Sequence, residues 1–378
     1  MTSKERMLCA VKNGKPDMVP VAPDISNMIP CKLTGKPFWD IYLYNNPPLW
    51  KAYIDAVQYF GFDGWLDNIP GVFEENTSDG MKERAVISKS SERIITREFA
   101  EKNGKKEWSE FVSVYYRDNP PSYVKASLIN IPSSSGTYYP LEGISPQKKD
   151  EDILREVTEY MRNRGIAGVG VYPPSLGKPY SEKYSVYDYC DRYEEVKQWS
   201  VNEEYKVLNR LQKILSCPVK PDFILTGGSG LLIFNTPDIL RDITFPCLQK
   251  ITTMCKKAGI PSQIHCCGPE KELVKMCAEK TELNSINPLE PPPMGDCNLK
   301  EIKRTFGDKL PLMGNLHTTE IMLFGSVKEV EGASKKAIDD VAENGGFILS
   351  TADQCGRDTP EENIFRMIET ARKYGKYL

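Results

Sequence analysis

Apolar residues in this chain fall into short runs separated by stretches with helical spacing. The runs are VPVAP (19–23), FDGWLDNI (62–69), GIAGVGVY (165–172), DFILTGG (222–228), SQIHCC (262–267), SINPLE (285–290), LPLMGNL (310–316) and GFILSTAD (346–353). Each is short and bounded by turn residues, which predicts buried strands. Between them lie amphipathic helices. In 149–161, Ile153, Leu154, Val157, Tyr160 and Met161 form one stripe. A capping box of Ser326 and Glu329 opens another helix, which Asn344-Gly345 closes. A third is expected to open at Thr359, with Pro360 in its first turn and Glu362 completing the cap.

Repeated β-then-α units of roughly 25–45 residues imply a parallel sheet. About eight such strands predict an α/β fold of the (β/α)8 TIM-barrel kind, spanning 1–378 as a single domain. No glycine-rich dinucleotide fingerprint follows the first strand, which disfavours an open doubly wound sheet. Residues 84–142 break the rhythm. They alternate apolar and polar positions about Asn103-Gly104, and so predict an antiparallel β-hairpin insertion after the second strand, expected to act as a lid over the barrel mouth. The aromatic set Trp39, Tyr42, Tyr44 and Trp50 reads as core or lid packing.

Composition narrows the function classes. The chain has 378 residues, 49 basic and 52 acidic, for a net charge of −3 with both signs interspersed. No basic stripe addresses nucleic acid, and no amphipathic basic helix addresses a membrane. The N-terminal stretch lacks a signal peptide's apolar core. Eleven cysteines, an odd number, predict free thiols in a reducing, cytoplasmic setting.

Histidine is rare, with two in the whole chain, and one stands in PSQIHCCGPEKELVKMC. On a strand His265 and Cys267 share a face, while Cys266 points the other way. Gly268-Pro269 then turns the chain, so the pair sits at the C-terminal end of its strand, where barrel enzymes carry their chemistry. Nitrogen and sulfur together suit Zn²⁺, but two ligands need a third. Of the downstream cysteines, Cys277 lies on a helical core stripe with Leu273 and Val274, and Cys297 lies in a proline-rich loop. Cys355 follows the last strand at the same rim. The expected metal site is therefore His265, Cys267 and Cys355.

The His-x-Cys-Gly after a strand, the NPLEPPPMGD segment, the Gly-Asn ending the next strand and GGFILSTADQCGRDTPEENI resemble the uroporphyrinogen decarboxylase superfamily. They are similar in particular to its zinc-dependent corrinoid methyltransferase branch, which includes methylcobalamin:coenzyme M methyltransferases. The resemblance implies the same barrel, zinc on His265, Cys267 and Cys355, and methyl transfer between a small thiol or methyl ether and a corrinoid. No Asp-x-His-x-x-Gly corrinoid motif occurs, so a corrinoid such as methylcobalamin would arrive on a partner protein or free. Self-association as a homodimer is left open. Alternatives are alkyl transfer to a thiol without corrinoid, such as epoxide opening, and porphyrinogen decarboxylation. The segment VAPDISNMIP lacks the arginine with which the family's decarboxylases grip substrate carboxylates. TGGSG (226–230) replaces the aspartate-rich turn of related proteins.

Further candidates cluster at the predicted rim. Glu290 is a fourth zinc ligand, a substrate contact or a solvated loop carboxylate. His317, sharing a strand face with Asn315, is an acid–base or substrate-binding group, or a loop histidine packed on Thr318. Asp353 would orient a metal ligand from behind. Gly227, Gly228 and Asn315 would let a bulky cofactor approach the backbone, although glycines here also suit a tight turn.

Overall fold

A computed structural model describes residues 1–73, 83–133, 136–144, 148–176 and 183–377. Its strands, numbered along the chain, are β1 (Gly64–Leu66), β2 (Glu83–Lys89), β3 (Arg93–Lys102), β4 (Lys105–Tyr116), β5 (Ser122–Lys125), β6 (Tyr139–Pro140), β7 (Gly165–Gly170), β8 (Phe223–Gly227), β9 (Ser262–His265), β10 (Ser285–Asn287), β11 (Leu312–Leu316) and β12 (Phe347–Thr351). The chain divides into two compact units. One comprises Met1–Ile25, Val57–Phe73 and Asp150–Leu378; the other comprises Ser26–Ala56 and Glu74–Lys149.

The larger unit is α/β. Its sheet holds seven parallel strands in the order β1-β7-β8-β9-β10-β11-β12. Parallel neighbours need long crossovers, and helices such as Phe245–Ala258, Lys271–Lys280, Leu299–Phe306 and Val327–Val341 supply them. Helices on the outside and packing inside explain why the strands read as continuous apolar runs. The segment 19–23 forms no ladder, because Pro20 and Pro23 have no N–H to give. It nevertheless lies between the two outer strands. Leu349 N donates to Pro20 O and Ala22 N to Leu349 O, both at 2.9 Å, while Asp63 N donates to Val21 O at 2.9 Å. The arrangement is TIM-barrel-like, with seven ladder strands and one proline-interrupted segment beside them.

The N-terminal helix Ser3–Val11 begins with a capping box between Thr2 and Glu5. It buries Met7, Ala10 and Val11 against Trp65, Ile166, Phe223, Met313 and Ile348. One polar layer crosses this core: Trp65 Nε1 donates to Gln263 Oε1 at 2.7 Å, and Gln263 Nε2 donates to Ser285 Oγ at 3.2 Å. The predicted box at Ser326 and Glu329 forms, with both reciprocal bonds. The box expected at Thr359 does not. The last helix runs Glu361–Tyr374, and Pro360, extended at φ −60° and ψ 129°, is its cap residue. Proline thus stands just outside the helix rather than in its first turn, and Thr359 lies one residue too early to cap it.

The smaller unit is antiparallel, ordered β5-β4-β3-β2-β6. Asn103 and Gly104 both have positive φ, 52° and 71°, as a two-residue type I′ hairpin requires, and they bring Lys102 opposite Lys105. Adjacent residues of β3 face opposite ways. Ile94 packs with Leu43, Val86 and Tyr115, while Ile95 packs with Val112, Val114 and Ala126. Trp39, Tyr42 and Tyr44 pack against the first of these clusters.

Candidate metal centre

The site lies at the C-terminal ends of the parallel strands. Register sets it up: Gly227 of β8 and Asn287 of β10 are the partners of His265 at the end of β9. Gly227 has φ +87°, and a Cβ there would lie 2.9 Å from Ile264 and 3.1 Å from the His265 carbonyl. Glycine is therefore required where β8 passes the histidine. Two residues on, Cys267 Sγ lies 3.5 Å from His265 Nε2. From the turn after β12, Asp353 Oδ1 comes to 3.8 Å from the same nitrogen. Asp353 has φ 100°, a rare backbone state for a non-glycine residue, and Thr351 Oγ1 donates to its carbonyl at 2.7 Å. The three ligand atoms lie within 4.8 Å of one another, the sole such set among the described residues.

These separations fit a zinc ion. Zn–N bonds of about 2.0–2.1 Å and Zn–S bonds of about 2.3 Å place tetrahedral N and S ligands about 3.5 Å apart. The observed 3.5 Å needs no adjustment, and the 3.8 Å to Asp353 is a few tenths of an ångström wide. His265 and Cys267 come together as the strand alternation predicts, and Cys266 is fully buried. Cys355 is also fully buried, with its N–H donating to Asp24 O at 2.8 Å, but its sulfur is not one of the three clustered atoms. Asp353 stands in the third corner instead.

The electrostatics are those of a crowded acidic pocket. Burial pushes the Cys267 thiol up to about 12, helped by Asp353 and Glu290 and opposed by a hydrogen bond with Ser229. Burial, aided by Asp24, also takes Cys355 to about 12. Glu290 is 5% exposed, so it is not a solvated loop carboxylate. Burial raises its pKa, and the Gly268 N–H that donates to it pulls the other way. Behind it, wholly buried Glu270 is held well above the carboxylate range by burial, Glu290 and its acidic neighbours. Such a concentration of carboxyl and thiol groups favours a divalent cation.

The remaining predicted residues are held in other ways. His317 caps its own turn, its Nδ1 accepting from Thr319 N at 3.2 Å and Glu320 N at 3.1 Å. Asn315 donates its amide to Leu289 O at 2.7 Å. Gly227 and Gly228 line a cavity of about 650 Å³ together with His265, Asp67, Tyr172, Trp199 and Gln354. A cavity of about 710 Å³ at the opposite ends of the strands includes Lys12, Asn284 and Pro311 and none of these site residues.

Two site residues escape sequence reading. Asp67 follows β1 and opens into the His265 cavity; burial raises its pKa and His265 counters that. Its signal was position alone, since Trp65 and Asp67 share a strand face at the rim. Asn287 brings its side-chain amide to 3.2 Å from His265 Nδ1. Only the register between β9 and β10 reveals it.

Residues 192–374 match the uroporphyrinogen decarboxylase (URO-D) family model. No curated protein sequence matches the chain. Among solved structures, a methyltransferase from Methanosarcina mazei superposes with a TM-score of 0.65 at 14% identity, over 99% of each chain. That likeness establishes the fold. An endo-β-mannanase/endo-β-glucanase from Prevotella bryantii has a TM-score of 0.34 at 11% identity, over 60% of this chain and 39% of its own, too faint to inform it. Among the described residues, no helix is long and apolar enough to cross a membrane.

Proposed function

Because residues 192–374 match the uroporphyrinogen decarboxylase family model, we propose that the chain is a zinc-dependent methyltransferase of that family. It moves a methyl group between a small thiol or methyl ether and a corrinoid carried by a partner protein. The observation that carries this reading is the 3.5 Å spacing of His265 Nε2 and Cys267 Sγ, the tetrahedral separation for zinc. In our assignment His265 and Cys267 hold the ion, and the Cys355 sulfur, which lies outside the cluster of ligand atoms, moves in as the third ligand beside Asp353, whose carboxylate stands 3.8 Å from His265 Nε2. When bound, zinc supplies Lewis acidity toward a substrate thiol or a departing ether oxygen.

The chain's own groups do the rest. Gly227 and Gly228 leave the cavity wall without side chains, so a bulky reactant can approach the backbone. Asp67 and Glu290, both with raised pKa values, are suited to hold a proton near the reacting atoms. Methyl displacement depends on placement more than on acid–base groups, which accords with a chain containing two histidines. The missing arginine in residues 21–30 argues against porphyrinogen decarboxylation.

The test combines metal analysis with turnover. Purified protein is expected to hold about one zinc per chain and to transfer methyl between a methylated corrinoid protein and a thiol. Cys267→Ala is expected to lose both metal and transfer. Full activity of metal-stripped protein refutes the reading, and turnover without any corrinoid redirects it to direct alkylation of a thiol.

A further inference from the structure

Asn287 is 2% exposed, and its amide lies 3.2 Å from His265 Nδ1 with the nitrogen, Nδ2, turned toward the ring. In that orientation Oδ1 is buried and meets no donor among the described residues. A buried carbonyl without a donor is the costly case for any polar group. An amide donating to Nδ1 also forces the ring proton onto Nε2. That proton would face Asp353 Oδ1 at 3.8 Å, beyond hydrogen-bond range, and the Cys267 sulfur at 3.5 Å. A half-turn of the amide exchanges its two ends without changing its shape. It gives Oδ1 the Nδ1–H as its donor and frees the Nε2 lone pair toward Cys267 and Asp353.

We propose that Asn287 is a positioning residue that accepts from Nδ1–H of His265 through Oδ1, and so holds the tautomer whose Nε2 can bind a cation. Among the described residues, Asn287 is the side chain placed at His265 Nδ1. Gly227, the partner of His265 on the other neighbouring strand, has no side chain. Fixing a ring through its far nitrogen is a general means of orienting a histidine ligand. The inference rests on the zinc reading only for its effect on metal affinity; the tautomer itself is read in metal-free protein.

With only two histidines, the ring spectrum is simple. His317 accepts two backbone N–H groups at Nδ1 and must carry its proton on Nε2. Long-range ¹H–¹⁵N correlation of histidine-labelled, metal-free wild-type protein should therefore show one ring of each tautomer. Two rings protonated on Nε2 would overturn the proposal, without need of any variant. Zinc titration adds a second readout. Asn287→Leu should weaken binding roughly 10–100-fold and return the His265 ring to a tautomer mixture. Asn287→Asp, whose carboxylate only accepts, should keep both the Nδ1–H ring and the affinity. Wild-type zinc affinity in Asn287→Leu would refute the proposal. A wild-type protein that takes up no zinc but shows the Nδ1–H ring would defeat the zinc reading and leave the role of Asn287 standing.

Discussion

Counting protons released on zinc binding separates the two ligand sets that the site allows. The clustered atoms belong to His265, Cys267 and Asp353, a set with one thiol; the assignment through Cys355 has two. Both thiols stand at about 12 in the metal-free protein, raised chiefly by burial. At pH 8 a thiol of that pKa is ionised in only about one molecule in 10⁴. Each thiol that binds zinc must therefore shed a proton, because the ligand is the thiolate. Proton and metal compete, so affinity rises with pH throughout the range below the thiol pKa. One thiol gives about tenfold tighter binding between pH 7.5 and 8.5, and two give about 100-fold. Calorimetric titration of zinc, in buffers of different ionisation enthalpy, counts the same protons independently. We expect two. One proton would refute Cys355 as a ligand and put the carboxylate of Asp353 in its place. None would refute a thiolate zinc site altogether.

Three further outcomes follow from the fold. Gly227→Ala places a side chain at φ +87° against Ile264 and should cost about 1–3 kcal/mol, read as a lower melting temperature; an unchanged melting point would contradict the close approach of β8 and β9. Trp65→Phe strips the donor from buried Gln263 Oε1 and should cost about 1–3 kcal/mol in urea unfolding. Arg6 holds Asp17 down to about 2 and also pairs with buried Asp63 at 2.7 Å. A folded-state pKa below the unfolded one means that Asp17's contribution is complete above about pH 4 and fades as pH falls through about 2. Arg6→Leu should shrink that acid limb, leaving the N-terminal ammonium 3.2 Å from Asp17 to sustain the rest, and, by removing the cation paired with Asp63, cost about 3–5 kcal/mol at neutral pH. An acid-denaturation profile unchanged by the substitution would show that Arg6 does not set it.

The parallel strands were legible because burial on both faces writes continuous apolar runs, as in Phe223–Gly227 and Phe347–Thr351. Residues 19–23 read equally well as a strand, yet two prolines leave them bonded at only a few points, which periodicity does not report. The hairpin about Asn103-Gly104 was legible because positive φ at two successive residues restricts the sequence so tightly. His265 and Cys267 were legible from their two-residue spacing, although β9 ends at His265 and Cys267 lies just beyond it. The third corner was not. Whether Asp353 or Cys355 points at the histidine depends on the φ of 100° at Asp353, a backbone detail that residue types two apart do not encode. Asn287 and Asp67 were hidden because their meaning comes from neighbours about 20 and 200 residues away.

The bonds around residues 19–23 also govern when the molecule can be finished. Ser350 Oγ donates to Ala22 O at 2.7 Å, joining positions 328 residues apart. On the ribosome, that stretch takes about 15–65 s to synthesise at typical bacterial-to-eukaryotic elongation rates. Throughout that time the nascent N-terminal segment waits for a mate not yet made, with Val21 and Ala22 unburied. Distant pairings of this kind slow folding and expose sticky intermediates, so the N-terminal segment stays open to misassociation until the last strand emerges.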